Sequence, residues 1–130
     1  MLLTAIGEWL QEQEVGTLGA DLFLHERPSR PVALTTVYLE GGYAPDVYRP
    51  VEHPEVRCQM RADTAQEALE RAESLYALLH RRENFPLGDG WWCYLALGRQ
   101  VPALVGASRP EQAGPGALAE CAFTLSVRRA

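Results

Sequence analysis

The chain contains no lysine, and all twelve of its basic residues are arginine. Ile6 is its single isoleucine and Asn84 its single asparagine. Lysine, isoleucine and asparagine have A/T-rich codons, so a G+C-rich genome accounts for the bias, and the arginines carry less functional meaning than their exclusiveness suggests. Few thermolabile amides and many prolines are compatible with a hot environment. Without lysine there is no Gly-x-x-x-x-Gly-Lys phosphate loop. Cysteine is sparse: Cys58, Cys93 and Cys121 stand far apart, odd in number and without Cys-x-x-Cys spacing. That argues against a zinc site and reads as buried thiols in a reducing compartment. No apolar run approaches the ~20 residues needed to cross a bilayer. Glu8, Glu12 and Glu14 replace the basic region of a signal peptide. The net charge of -5 argues against a protein that grips nucleic acid over its whole surface.

What is present is organised as one domain over residues 1–130, long enough to fold without a disulfide or metal staple. Residues 55–62 are the most informative. Val56, Cys58, Met60 and Ala62 alternate with Arg57, Gln59 and Arg61. This period of two predicts a strand with one apolar and one wet face. Thr64 and Glu67 then form a capping-box pattern, with Asp63 as a competing cap. They open a helix over residues 65–82, roughly 27 Å long. Its stripe is Ala68, Ala72, Leu75 and Leu79, widened by Leu69 and Tyr76. His80, Arg81 and Arg82 suit the negative end of its dipole.

Elsewhere, Leu2, Leu3, Ile6, Trp9 and Leu10 fall on one helical stripe that Gly16 and Gly19 end. Short and long strands follow at residues 21–25 and 32–40. An irregular stretch from Gly41 to Pro54 holds Tyr43 and Tyr48, and a loop of that length suggests binding or packing on a partner. Residues 84–90 read as a turn and 90–97 as a strand apolar on both faces. Trp91, Cys93, Leu95 and Leu97 are expected on one side, with Trp92, Tyr94 and Ala96 on the other. One tryptophan should lie beneath the long helix. The other, with Tyr94, is either an exposed partner contact or is covered by the N-terminal helix through Trp9 or by the long loop. After a loop rich in Pro, Gly and Ala, residues 120–129 close the fold, with Cys121, Phe123, Leu125 and Val127 on one face. The expected class is α+β: a mainly antiparallel sheet of four to five strands with one long helix and an N-terminal helix packed on it.

The sequence offers little chemistry. There is no Gly-x-Ser-x-Gly elbow, Gly88-Asp89-Gly90 reads as a turn, and His25 and His53 sit beside turn residues. We expect no catalytic, cofactor-binding or metal-ligating residue and no cofactor. A site assembled from distant residues, as in a small ligand-binding or enzymatic domain, stays open as an alternative.

The layout resembles the tail terminators, or minor capsid proteins, that complete the tails of long-tailed bacteriophages. The similar elements are the N-terminal helix before a short strand, the strand ending in Gly41-Gly42, and the Pro-containing loop after it. Residues 54–62 resemble the family's strand ending in Arg-x. The helix with Glu67-Ala68 and the run from Leu75 to His80, and the last alternating strand 123–127, are similar too. The segment 109–116 departs from the acidic, Gly-containing turn of many relatives. The resemblance implies a structural virion protein and not an enzyme. It would form a ring with itself, usually a hexamer, at the head-proximal end of the tail tube, ending tube growth and joining tail to head. Tail tube protein and head-tail connector are the implied partners. DNA would pass through the lumen without specific binding, no membrane is involved, and assembly would occur in the host cytoplasm. The candidate interface residues are Tyr43, Tyr48, Arg57, Arg61, Trp92 and Tyr94. Arg57 and Arg61 are expected on an outward strand face, turned to the lumen or to a neighbour. Another head-completion component of the same assembly is the alternative.

Overall fold

The alternation at residues 56–62 forms the strand it predicts in a computed structural model that describes residues 1–43, 50–88, 90–105 and 116–129. The elements in chain order are α1 (Leu2–Glu12), β1 (Leu22–Leu24), β2 (Leu34–Tyr43), β3 (His53–Ala62), α2 (Ala65–Leu79), β4 (Arg82–Pro86), β5 (Trp91–Val105) and β6 (Ala117–Arg129). The strands form one sheet in the order β1-β2-β3-β6-β5-β4. β1 runs parallel to β2, and the other neighbours pair antiparallel. The expected four to five mainly antiparallel strands with one long helix are therefore corrected to a six-stranded mixed sheet with two short helices, of 11 and 15 residues.

Side-chain alternation builds the core on one sheet face. Cys58 lies opposite Cys121, and Val56 opposite Phe123, so the apolar sets of β3 and β6 merge. Both helices cover this face. Thr64 caps α2 as predicted, its hydroxyl accepting from the Glu67 backbone N–H at 3.2 Å. The small Ala68 and Ala72 are fully buried and let α2 sit close to the strands. Tyr76 lies over Gly98 of β5, where an added Cβ would come within about 2.5 Å of its ring, so a larger residue there would displace the ring. The predicted stripe of α1 is buried throughout. α1 also reaches both edges of the sheet: Trp9 packs on Phe85 of β4 at 5.0 Å between centroids, while Gly7 lies against Leu24 of β1. The sheet thus curls around α1, and the core is one continuous cluster.

Three local differences separate the structure from the expected layout, and the first of them adds the sixth strand. The helix expected to reach Arg82 stops at Leu79, because His80 is extended (φ -61°, ψ 122°) and Arg81 is left-handed (φ 64°). The Arg81 N–H donates to Ala96 at 2.8 Å, and the chain continues as β4 through residues expected to form a turn. The sequence Arg-Glu-Asn-Phe-Pro has poor intrinsic strand propensity, and pairing with β5 overrides it. Next, β5 carries a bulge between Cys93 and Leu95. The extra residue reverses the alternation, so Ala96 is buried with Cys93, while Leu95 and Leu97 turn to the second face. This corrects the expected grouping of Leu95 and Leu97 with Trp91. Finally, strand β2 runs on to Tyr43 and β3 begins at His53, so strand takes up both ends of the stretch expected to be irregular.

Candidate interaction surfaces

The second sheet face receives Arg57, Gln59 and Arg61 from β3, Glu120, Thr124, Ser126 and Arg128 from β6, and Trp92, Leu95 and Leu97 from β5. Residues 25–33, linking β1 to its parallel neighbour, cross over one end of this face. Beneath them Arg61 is only 2% exposed, with Leu34, Thr36 and Leu118 also buried. The Arg61 guanidinium donates to the backbone carbonyls of Val32 (2.9 Å), Pro28 (2.6 Å) and Pro31 (3.0 Å). Thr36 fastens the same segment by donating to the Glu26 carbonyl at 2.9 Å. Burial, and then the charge of Arg27, lower the Arg61 pKa from its ordinary value. Arg61 is a clamp inside the monomer. Its expected outward position is corrected, because the connection that the parallel strand requires folds back over it.

Past the covered end a polar chain crosses the sheet. Arg27 donates to Gln59 at 2.9 Å, and Gln59 to Glu120 at 3.0 Å. Gln100 donates to the other Glu120 oxygen at 3.3 Å. Arg57 pairs with Glu40, and both side chains are partly exposed. Its guanidinium also lies 5.9 Å from the Tyr38 ring centroid. At the far end no described segment crosses the face. Trp92, Leu95 and Leu97 are half-buried and Tyr94, at the bulge, is 37% exposed. The Arg128 guanidinium sits 5.9 Å from the Tyr94 ring and that of Arg129 sits 5.2 Å from the Trp91 ring. Trp91 packs against the edge of the core, whereas Phe123 and Tyr76 meet beneath α2 at 5.6 Å. Trp9 is on the helix side, with Phe85, and away from Trp92. Tyr48 lies outside the described residues, as does the side chain of Tyr43, so the structure does not bring these two to either surface.

A groove of roughly 760 Å³ opens on the helix side, between the residues that follow α1 and the flank of α2. Met60 and Thr35 lie at its floor, and Glu14, Glu67, Glu70 and Arg71 line its walls. Sequence reasoning missed this groove, since it arises where two helices remote in the chain diverge over the sheet. It also missed the stacking of Arg128 and Arg129 on β5 aromatics, which depends on strand register. The helical spacing of Glu67, Glu70 and Arg71 was the available signal for the groove wall.

Two of the three histidines serve the backbone. His25 Nε2 accepts from the Leu39 N–H at 2.9 Å, and His80 Nδ1 accepts from the Gly98 N–H at 3.0 Å. His53 Nδ1 meets the Ser126 hydroxyl at 3.1 Å across the β3–β6 ladder. The three thiols are free and buried. Burial raises the Cys58 pKa well above normal and pushes Cys93 up to about 11 and Cys121 up to about 12. They remain protonated and poorly nucleophilic at neutral pH. Among the described residues no cluster of three His, Cys, Asp or Glu could hold a metal ion.

Over residues 9–108 the chain matches a protein family described as bacteriophage tail terminator protein. The matched span runs from Trp9 in α1 through both second-face ends of β3 and the whole of β5. Comparison with curated proteins found no match.

Proposed function

The chain belongs to the bacteriophage tail terminator family, and from that premise we propose that it closes the head-proximal end of a phage tail tube as a ring of identical subunits. In this reading the ring stops tube elongation, then presents a surface to the head connector, and leaves a lumen for DNA. Membership makes the chain a structural component of the virion tail. That family match is the observation that carries the proposal.

The surfaces are consistent with it. A protomer in a ring needs two different patches, because a heterologous contact repeats around the ring until it closes. This protomer has a sheet end with Trp92, Tyr94 and Arg128, and on the opposite layer a polar groove. Aromatic residues and arginine are enriched at subunit interfaces. The histidines and thiols, by contrast, are tied into the fold.

The test is addition of purified protein to polymerising tail tube protein. Tubes should stop growing, acquire a terminal ring visible by electron microscopy, and become competent to join heads. Unchecked growth with no bound ring rejects the proposal. Binding to tailless heads instead of tubes would reassign the chain to head completion.

A further inference from the structure

The charges of this chain are segregated. Residues 1–21 and 63–79, the helix layer and its flanking turns, hold eight carboxylates against the single arginine Arg71. Three of these carboxylates, Glu14, Glu67 and Glu70, line the groove around an apolar floor that includes Met60 and Leu75. The opposite end of the sheet has the reverse bias. Arg128 and Arg129 end β6 there beside Trp92 and Trp91, with Glu52, bridged to Val127, as a described acidic neighbour, whereas Arg82 lies over Trp9 and Phe85 on the helix side. Arg128 and Arg129 take part in no described ion pair, and their guanidinium groups stack on Tyr94 and Trp91.

The two features lie at opposite ends of one strand. Met60, at the groove floor, is level with Ala119 of β6. Arg128 lies nine residues further along the same strand, about 30 Å away at 3.3 Å per residue. No single protomer can bring them together, but two copies can.

We propose that the acidic groove between α1 and α2 receives the Arg128–Arg129 end of a second copy, so that copies associate head to tail. This rests on the ring reading above and names the two surfaces that meet. The groove is large enough to admit arginine side chains, its carboxylates supply charge-assisted acceptors, and the half-buried Val15 and Leu78 in its lining offer apolar contact to arginine stems and to Tyr94. Complementary patches on one chain also disfavour the wrong pairings: groove on groove sets carboxylates together, and end on end sets arginines together. The contact is heterologous, as closure of a ring requires.

A charge exchange tests the proposal. One variant carries Arg128→Glu and Arg129→Glu, the other Glu67→Arg and Glu70→Arg. Each should keep the wild-type melting temperature within a few degrees, since all four positions are at the surface. Self-association, measured by light scattering and by ring formation on tail tubes, should weaken by more than tenfold in either variant alone. A 1:1 mixture should recover it, because each variant's groove then meets an end of opposite charge in an alternating ring. Wild-type association should also weaken as salt is raised. Should a reversal prevent folding, Arg128→Gln with Arg129→Gln, and Glu67→Gln with Glu70→Gln, replace it and should each weaken association. Variants that assemble like wild type, or a mixture that fails to recover, overturn the proposed contact while the ring reading stands. Loss of tube binding with rings intact also overturns it, assigning the groove to the tube protein. A wild-type protein that stays monomeric both alone and on tail tubes overturns the ring reading itself.

Discussion

Arg57 and Arg61 stand four residues apart on β3 and point to the same face of the same sheet, yet they belong to different worlds. Arg61 is enclosed by residues 25–33 and satisfies three carbonyls that have no strand partner. Arg57 is partly exposed and shares Glu40 with solvent. The same contrast holds for neighbouring apolar residues. Leu118 is buried at the covered end, whereas Leu97 and Trp92 are half-buried at the far end. One sheet face is therefore divided into a part that is protomer interior and a part left for contact. Strand periodicity assigns a face, but an extra segment crossing that face decides what the assignment means.

The contrast can be broken most sharply at Arg61. Arg61→Ala should lower unfolding free energy by about 3–4 kcal/mol, because a buried side chain is removed and the carbonyls of Pro28, Pro31 and Val32 lose the charged donor they share. Urea denaturation measures it, and a loss under about 1 kcal/mol would mean that residues 25–33 do not close over the sheet as described. Next in size, Leu118→Ala should cost about 2–3 kcal/mol, with transfer and cavity contributions together. Leu97→Ala at the far end should cost about 1 kcal/mol, and equal losses at the two leucines would erase the distinction. Trp92→Ala should cost about 1 kcal/mol in the monomer, with the larger effect on association by light scattering. The smallest change belongs to Arg57→Ala, within about 0.5 kcal/mol, since an exposed ion pair contributes little. A double-mutant cycle with Glu40→Ala would register any coupling beyond that.

Much of the core was legible in sequence. The α1 stripe, the β3 and β6 alternations and the Thr64 cap all depend on neighbours three or four residues away at most, and each was found where the pattern set it. The misreadings share a different cause. β4 has poor strand propensity and exists because Arg81 and the residues after it meet the ladder of β5. The reversal of Leu95 and Leu97 follows from a bulge that no composition announces. Arg61 was assigned to the right face but to the wrong surroundings. Of the expected contact residues, Tyr94 is exposed, Trp92 and Arg57 are partly exposed on the stretch of the face that no described segment crosses, and Arg61 is interior.

By itself, then, the sequence determined which side chains share a strand face or a helix stripe, where α2 begins, and that the thiols would be buried, because these follow from backbone periodicity and local hydrogen bonding. Tertiary structure alone decided the six-stranded order, the curl of the sheet about α1, the acidic groove and the pairing of Arg128 and Arg129 with β5 aromatics. Those depend on which distant segments lie side by side, and contacts between remote residues leave no period in the chain that makes them.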